Sequence, residues 1–361
     1  MTTSHPSPVT HVELPDVPPE EAAFFSPHFD GRRFFNPWRR RVASVARDGD
    51  GERAHGLREL LRWKLDANPF AEAKRAPSAA PAVDAPLRAL QALPADARAV
   101  WLGHASVYVE LDGARLAIDP VFGRVGPVRR SAPLPLDAAA LPPVDAVLIT
   151  HGHYDHLDVR SVRALRDRAG GRLRVVTPLG LGRYLPSGWD VTELDWWQAV
   201  RVGDVECCLV PAQHWHRRSL SDGNRALWGG YVVRGSRSLY HSGDTGYFGG
   251  FRSIGRVFPG LDLAVLPLGA FEPRWFMGGH HMAPEQTLDA FAALGARQML
   301  GMHWGTYDLT DEPLDHGARA LFPRIVSERG LDERPLHVTA IGGAVALDDS
   351  DRSVGDLAPA E

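Results

Sequence analysis

Three histidines and one aspartate lie within six consecutive residues, in the sequence HGHYDH that runs from His151 to His156. Imidazole nitrogens and carboxylate oxygens are ligands of zinc, and manganese and iron accept similar donors. His151 and His153 can converge on one ion, and the following Asp155-His156 pair can face a second. The alternative is a polar surface turn that happens to be rich in histidine. Four ligand-type residues in six positions favour the metal site.

The residues before this motif indicate how it is presented. Val144 to Thr150 form a short apolar run rich in β-branched side chains, which is typical of a buried strand. Comparable runs precede three further ligand-type residues. We expect these residues also to leave the ends of strands, where a rigid scaffold holds functional loops. They are His214 after 209–213, Asp244 after 238–243 and His303 after 298–302.

Together these positions give seven candidate ligands, which divide into two triads and one bridging residue. The sets are His151, His153 and His214; Asp155, His156 and His303; and Asp244. Two metal ions about 3.5–4 Å apart can share a water molecule and lower its pKa for attack on an electrophile. The sequence therefore predicts a centre with two zinc ions, or with manganese or iron in their place.

Short strands and helices must position these residues. Asp112-Gly113 predicts a hairpin turn between two strands, and Pro284 near the start of 283–294 is typical of a helix. Strands and helices alternate without one regular β-α-β repeat. This pattern predicts an α/β fold, a sandwich of two mixed β-sheets flanked by helices. Further predicted elements are 100–111, 115–120, 158–169, 175–178, 206–211, 262–268 and 298–302.

Composition divides the chain into three parts. The composition of residues 1–98 predicts an N-terminal arm and linker packed on the core. We expect its Pro-rich start to be poorly ordered, residues 57–64 to form a short helix, and the Ala- and Pro-rich residues 76–98 to form the linker. Residues 99–350 form the main domain and 351–361 a C-terminal tail. Within the arm, 29–41 interleaves aromatic residues with arginines. It could pack on the main domain, touch a membrane surface or bind an anionic substrate, and we favour packing.

The whole chain of 361 residues has an ordinary globular composition, with 44% hydrophobic and 23% charged residues. Its net charge of −4 gives no reason to expect a nucleic-acid partner. No apolar run approaches the roughly 18 residues of a membrane span, and no secretory signal is visible, so we expect a cytoplasmic location. The adjacent Cys207 and Cys208 would point to opposite faces of a strand, which favours core packing over a disulfide framework.

Beyond the metal ligands, the sequence resembles the N-acyl-phosphatidylethanolamine-hydrolysing phospholipase D family, which has the metallo-β-lactamase fold. HGHYDH, PAQHW, SGDTG and MHWGT occur in this order, and the resemblance runs from about residue 30 to about residue 310. The segments NPW at 36–38, WLGHAS at 101–106 and EPRWFM at 272–277 extend it, and EPRWFM is the most specific because it is not a metal motif. Gly278-Gly279 and a missing histidine at 339–343 are departures that leave the acyl-chain preference open.

The resemblance implies that all seven candidates are metal ligands and that the protein forms a homodimer. It implies catalytic roles for Asp155, Asp244 and His281. His281 would be a general acid for the leaving alkoxide or a phosphate contact, against the alternative of a surface histidine at a helix start. Gln213 and Arg274 become candidate substrate contacts beside His281.

Several neighbours have alternative roles. Arg274 could instead pair with Glu272, two residues away. Asp119 and Asp158 could orient ligand imidazoles, and His104, expected within a strand, would be an orienting or structural residue.

By the same resemblance, the reaction is cleavage of N-acyl-phosphatidylethanolamine-like phospholipids to an N-acylethanolamine and a phosphatidic acid. The lipid would be reached by peripheral membrane contact and bound in an apolar groove. Candidate groove residues are Phe271, Trp275, Phe276, Met277 and Met282. A lactonase, or a phosphodiesterase for nucleotides or other small molecules, is the alternative because metals polarise a carbonyl as readily as a phosphoryl group. A di-iron electron-transfer protein is disfavoured by His153, where such proteins carry an acid. A non-catalytic binding protein is disfavoured by the intact ligand set.

Overall fold

The computed structural model describes residues 7–39, 57–134, 136–333, 335–348 and 352–357. Arg40 and Arg41 of the aromatic-arginine stretch lie outside these ranges. The strands are β1 Thr10–His11, β2 Ala97–Gly103, β3 Ser106–Leu111, β4 Ala114–Ile118, β5 Ala146–Leu148, β6 Arg174–Pro178, β7 Asp190–Leu194, β8 Gln198–Val202, β9 Val205–Val210, β10 Gly230–Arg234, β11 Ser238–His241, β12 Leu263–Pro267, β13 Gln298–Met302, β14 Leu336–His337, β15 Thr339–Ala346 and β16 Ser353–Asp356.

These strands form two mixed sheets. The first has the order β16-β15-β2-β3-β4-β5-β6-β7, and the second has the order β1-β8-β9-β10-β11-β12-β13-β14. In each sheet an antiparallel half continues into a parallel half, β4 to β7 in the first and β11 to β14 in the second. The predicted hairpin turn joins β3 to β4, with φ of +47° at Asp112 and +76° at Gly113. The predicted α/β sandwich of two mixed sheets is confirmed.

Helices complete the layers. They are α1 Leu57–Leu65, α2 Pro86–Gln91, α3 Val159–Arg168, α4 Gly250–Val257, α5 Arg274–Met277, α6 Pro284–Leu294 and α7 Phe322–Glu328. Helix α3 begins after Asp158, whose carboxylate accepts hydrogen bonds from the backbone N–H groups of Arg160 and Ser161. Helix α6 has Pro284 in its first turn and ends at Gly295 in the left-handed conformation, as helix-end preferences require.

Strand β5 shows how the core is divided. Ala146 and Leu148 join the large apolar cluster shared by both sheets, whereas Val147 faces Val162 and Leu165 of helix α3 in a second cluster. Both faces of β5 are therefore buried, which explains its continuous apolar sequence. Cys207 and Cys208 on β9 are buried free thiols, so their prediction as core residues is confirmed.

One prediction about the first 98 residues was wrong. Strand β1 pairs with β8 at the edge of the second sheet, where the sequence had indicated a poorly ordered start. Helix α2 lies within the predicted linker at 76–98, where Leu90 and Leu93 are buried against the first sheet. At the other terminus β16 pairs with β15, within the range expected to be a tail. The domain boundaries themselves stay a prediction.

Candidate metal centre

The ligand-type residues follow strands whose carboxyl ends meet at one rim of the sandwich. The motif at 151–156 leaves β5 of the first sheet, and His214, Asp244 and His303 leave β9, β11 and β13 of the second. After β5 the chain makes a tight turn, in which the backbone N–H groups of His156 and Leu157 donate to His153 O at 3.2 and 2.9 Å. All seven predicted ligands come together at this rim.

The first group of converging side chains contains His151, His153, His214 and Asp244. His153 Nδ1 lies 2.9 Å from His151 Nε2 and 3.1 Å from His214 Nε2. The opposite nitrogen of His214, Nδ1, lies 3.2 Å from the carbonyl oxygen of His280 and donates to it. The Nε2 lone pair of His214 is therefore directed toward the centre.

The second group contains Asp155, His156 and His303, and the structure adds His104 to it. Asp155 Oδ2 lies 3.8 Å from His156 Nε2, 3.9 Å from His303 Nε2 and 3.0 Å from His104 Nε2. The sequence had placed His104 within a strand. It lies instead in the tight turn between β2 and β3, and this turn delivers its ring to the site.

Asp244 lies between the two groups. Its Oδ2 is 3.2 Å from His156 Nε2, 3.8 Å from His151 Nε2 and 3.9 Å from His214 Nε2, while its Oδ1 is 3.0 Å from His303 Nε2. This buried carboxylate therefore contacts nitrogens of both groups. The position is the one that a bridging ligand requires.

A hydrogen-bonded chain behind the site orients two of the histidines. Asp119 accepts hydrogen bonds from the Thr150 backbone N–H at 2.7 Å, from Thr150 Oγ1 at 2.5 Å and from His156 Nδ1 at 2.7 Å. Because the Thr150 hydroxyl donates to Asp119, it can accept the proton of His151 Nδ1, 3.1 Å away. Both imidazoles then present Nε2 to the centre, so the predicted orienting role of Asp119 agrees with the geometry. Asp158, predicted to share that role, caps helix α3 instead.

The geometry supplies a test of whether metal ions fit. His153 Nδ1 lies about 3 Å from both His151 Nε2 and His214 Nε2, and lone pairs that face one another at this distance repel unless a cation separates them. His156 Nε2, His303 Nε2 and Asp244 Oδ1 are buried and make no hydrogen bond among the described residues. Buried polar atoms are normally paired. The residues therefore fit metal binding at both groups.

Burial also sets the charges of the histidines. It lowers the pKa of His153 to about 4 and that of His104 to about 3, and it lowers the pKa of His151 and His214 well below their usual range. Neutral imidazole is the form that binds metal. His156 is the exception. Burial opposes its charge, but the carboxylates of Asp244, Asp155 and Asp119 outweigh burial and raise its pKa well above the usual value.

Protonated His156 in turn lowers the pKa of the neighbouring carboxylates. Burial by itself would raise the pKa of Asp155 and Asp244. His156 lies close to both and lowers each pKa well below the ordinary value, with His104 assisting at Asp155 and His303 at Asp244. Both acids are therefore ionised and available as ligands at neutral pH.

Three residues at the rim have strained backbone conformations. His104, Asp119 and His303 have φ values of +53°, +44° and +62°, which place three non-glycine residues in the left-handed region. Such conformations cost free energy and persist only where the surrounding structure holds them. Here the backbone N–H of His303 donates to His104 O at 2.9 Å, so two of the strained residues hold each other.

The structure gives the predicted substrate contacts other polar partners. Gln213 accepts from Trp38 Nε1 at 3.0 Å and donates to Gly279 O at 3.2 Å. The Arg274 guanidinium donates to the carbonyl oxygens of Phe271 and His281 and to Gln286 Oε1. Both side chains hold the surrounding loops in place. Their roles as substrate contacts stay predictions.

His281 lies closer to the centre. Its Nδ1 is 3.9 Å from Asp244 Oδ2, and its ring is 5.6 Å from that of His303. Burial lowers the pKa of His281 to about 4. The ring is half-buried, so it can contact both the centre and a ligand beside it.

A cavity of about 300 Å³ opens over the two groups. His153, Asp155, Asp244, His281 and His303 form its polar floor. Apolar and aromatic side chains form its walls, among them Val125, Trp215, Phe276, Met277 and Leu309. Of the groove residues predicted from sequence, Phe276 and Met277 line this cavity, whereas Met282 and Phe271 are buried core residues.

Gly152, in the tight turn at 152–157 that carries His153, Asp155 and His156, has no room for a side chain. A Cβ at this position would lie 2.2 Å from His216 Cε1 and 2.7 Å from Leu181 Cδ2. We expect Gly152→Ala to lower the free energy of unfolding by about 1–3 kcal/mol through overpacking, and to weaken zinc binding by displacing the turn. Thermal denaturation and zinc titration measure the two effects. Gly123→Ala is the control, because its Cβ would meet nothing nearer than Asp158 Oδ2 at 3.8 Å.

Two mixed sheets with histidines and aspartates at one rim define a class, the metal-dependent hydrolases of the metallo-β-lactamase fold. The Beta-lactamase superfamily domain matches residues 114–304, more than half of the chain and all seven candidate ligands, so the chain belongs to this superfamily. His104 lies outside the matched range.

Relatives agree with this assignment. N-acyl-phosphatidylethanolamine-hydrolyzing phospholipase D 1 of Caenorhabditis elegans is 38% identical over 58% of this chain and 64% of its own length. The mitochondrial enzyme of that name from Saccharomyces cerevisiae is 34% identical, over 59% of this chain and 48% of its own. The chain thus spans less than two thirds of each. A metal-dependent hydrolase of Methanopyrus kandleri is 31% identical, over 65% of this chain and 94% of its own.

Solved structures show the same fold. A metallo hydrolase of Ignicoccus hospitalis has a TM-score of 0.52 and 22% identity, covering 69% of this chain and 97% of that one. A possible metal-dependent hydrolase of Veillonella parvula has a TM-score of 0.56 and 14% identity, covering 70% and 100%. The predicted family resemblance is confirmed at the level of sequence and fold.

Proposed function

We propose that this protein is a binuclear zinc phosphodiesterase of phospholipase D type, which cleaves N-acyl-phosphatidylethanolamine-like phospholipids to an N-acylethanolamine and a phosphatidic acid. The observation that carries the proposal is the position of Asp244, between two groups of metal-ligand side chains on the floor of a partly apolar cavity. The similarity to relatives named for this activity supports it.

In this proposal His151, His153, His214 and Asp244 would hold one ion. Asp155, His156 and His303 would hold the other, together with Asp244, which contacts His156 and His303. Bound zinc supplies Lewis acidity, which lowers the pKa of water and offsets negative charge on phosphoryl oxygens.

Residues behind and beside the centre have separate roles. Asp119 and Thr150 keep two imidazoles in the tautomer that presents Nε2. His281, beside Asp244 at the cavity floor, hydrogen-bonds the phosphate or the leaving oxygen.

The cavity walls and helix α1 support a lipid substrate. Trp63 of helix α1 packs against Phe276, with ring centroids 4.8 Å apart, and Phe276 lines the cavity. On its outer side the same helix exposes Leu60, Leu61 and Leu65, the last of them 83% exposed. Exposed leucines beside the cavity would enter the headgroup region of a membrane. In the part of the chain that the structure describes, no helix could cross a membrane.

Peripheral contact through helix α1 gives a prediction. Leu61→Gln combined with Leu65→Gln will weaken binding to phosphatidylethanolamine vesicles by at least about 100-fold, because each leucine that enters lipid contributes roughly 1.5–3 kcal/mol. Vesicle co-sedimentation measures it. Leu331→Gln, at another exposed leucine outside this helix, is the control. Equal binding by the double variant and the wild type would exclude this contact.

The homodimer that the family resemblance implies stays a prediction.

The function is tested by mass spectrometry of the products from a zinc-loaded sample. Substrates are N-acyl-phosphatidylethanolamine in detergent micelles, phosphatidylcholine, an acyl lactone and bis(p-nitrophenyl) phosphate. Release of N-acylethanolamine above the rates with the other three supports the proposal. A zinc-loaded protein that cleaves only the lactone or the small diester contradicts the lipid substrate and supports a small-molecule hydrolase.

A further inference from the structure

We propose that Arg218 is a positioning residue, which holds the metal-binding turn at 152–157 in the shape that presents its ligands. The inference rests on the proposed metal centre, although it concerns a side chain outside the ligand set. Arg218 lies four residues beyond the candidate ligand His214 on the loop that follows β9. No family motif noted in the sequence includes it.

The guanidinium binds the turn from outside through its backbone. Arg218 Nη1 lies 2.8 Å from Gly152 O, 3.0 Å from Leu157 O and 3.4 Å from His153 O. These carbonyls stand before, within and after the segment that carries His153, Asp155 and His156. One cationic group therefore closes the turn across its open side.

The turn requires such a partner. Three carbonyl oxygens converge within reach of one nitrogen, and their negative ends repel one another unless a donor lies among them. His153 O already accepts the backbone N–H groups of His156 and Leu157. Hydrogen bonds from a charged donor are stronger than those from a neutral donor. Loss of Arg218 would leave the three carbonyls together without that donor.

Arg218 is itself held firmly. Its guanidinium carbon lies 4.2 Å from the Tyr154 ring centroid and 5.6 Å from that of Tyr184. Asp222 accepts from the Arg218 backbone N–H at 3.1 Å and from the Tyr184 hydroxyl at 2.7 Å. The planar guanidinium thus lies beside two aromatic rings, and its backbone is fixed by the hydrogen bond to Asp222. Lysine has one ammonium group and lacks both the plane and the fork of donors.

Metal binding and hydrogen exchange test the inference without any substrate. Arg218→Ala and Arg218→Lys are compared with wild type and with Arg217→Ala, a neighbour whose Nε donates to Ser219 O. Zinc affinity is measured by chelator competition, and cobalt coordination by the visible absorption spectrum of the cobalt-substituted protein. Exchange of the amides of His156 and Leu157 is measured without metal, and melting temperature checks the fold.

We expect Arg218→Ala to bind zinc roughly 10–100-fold more weakly, with an altered cobalt spectrum and faster exchange at both amides, because outer contacts of a metal site typically have effects of this size. Arg218→Lys should recover only part of the loss, added guanidinium should restore Arg218→Ala in part, and Arg217→Ala should match wild type. A folded Arg218→Ala with unchanged affinity, spectrum and exchange overturns the inference. If the wild type binds metal but cleaves no lipid, only the proposed substrate fails. If the wild type binds no metal, the metal centre fails, and unchanged amide exchange in Arg218→Ala then overturns the inference.

Discussion

The Asp244→Asn variant will lose metal and hydrolytic activity together. Asp244 contacts nitrogens of both ligand groups, and an amide has only one oxygen and no charge with which to bridge two cations. Removal of an outer contact typically costs about 10–100-fold in metal affinity, so loss of the bridge should lower both zinc affinity and hydrolysis by more than about 100-fold. Elemental analysis after dialysis and product release measured by mass spectrometry provide the two values.

The control for this variant is Asp167→Asn, which changes the charge by the same amount at an exposed position on helix α3. It should keep the metal content and rate of the wild type. Circular dichroism of Asp244→Asn shows whether the chain still folds. A folded Asp244→Asn with two equivalents of zinc and undiminished turnover would exclude the bridging role.

The Asp119→Asn variant will be both less stable and weaker in zinc binding. The buried carboxylate accepts three hydrogen bonds, from the N–H and hydroxyl of Thr150 and from His156 Nδ1. Asparagine keeps one acceptor oxygen and directs an NH₂ group at the other donors. Removal of one partner from a buried ionic network costs roughly 3–5 kcal/mol. We expect a loss of about 3 kcal/mol in urea denaturation of the metal-free protein.

Zinc affinity of the same variant should fall by roughly 10–100-fold, because His156 and, through Thr150, His151 lose the contact that sets their tautomers. Asp145→Asn is the matched control. Asp145 accepts from the Arg115 backbone N–H at 2.9 Å and from its side chain, but it is exposed. An exposed ion pair contributes at most about 1 kcal/mol. Equal losses from the two substitutions would contradict a special role for Asp119.

The candidate ligands could be found from sequence because their signals are local. His214, Asp244 and His303 each follow a short apolar run, and such runs become strands whose ends carry loops. The carboxyl ends of the parallel strands then meet at one rim, which brings residues distant in sequence together. The division of the seven candidate ligands into two sets could be predicted from the number of ligands that one ion accepts.

Other features depend on contacts between distant segments. His104 comes near Asp155 only because a tight turn separates β2 from β3, with positive φ at Gly103 and His104. The glycine is compatible with a turn, but the histidine itself does not indicate a left-handed backbone. The sequence around Gln213 does not indicate that its side chain hydrogen-bonds Trp38 and Gly279, because both are far away in the chain. For Arg274 the sequence offered a pair with Glu272 as the alternative to a substrate contact. Its backbone N–H meets Glu272 Oε2 at 2.8 Å, but its guanidinium binds carbonyl oxygens and Gln286.

Each ligand group contains residues from both sheets, and this affects the stability of the protein. His151 and His153 extend from the first sheet toward His214 and Asp244 of the second, so a bound ion would be a reversible cross-link between the two layers. Cys207 and Cys208 are free thiols and provide no covalent link. A ligand at 100 times its dissociation constant stabilises the folded state by about 2.7 kcal/mol. The supply of zinc in the cell would then determine how much of this protein escapes proteolysis, as well as the catalytic rate of each molecule.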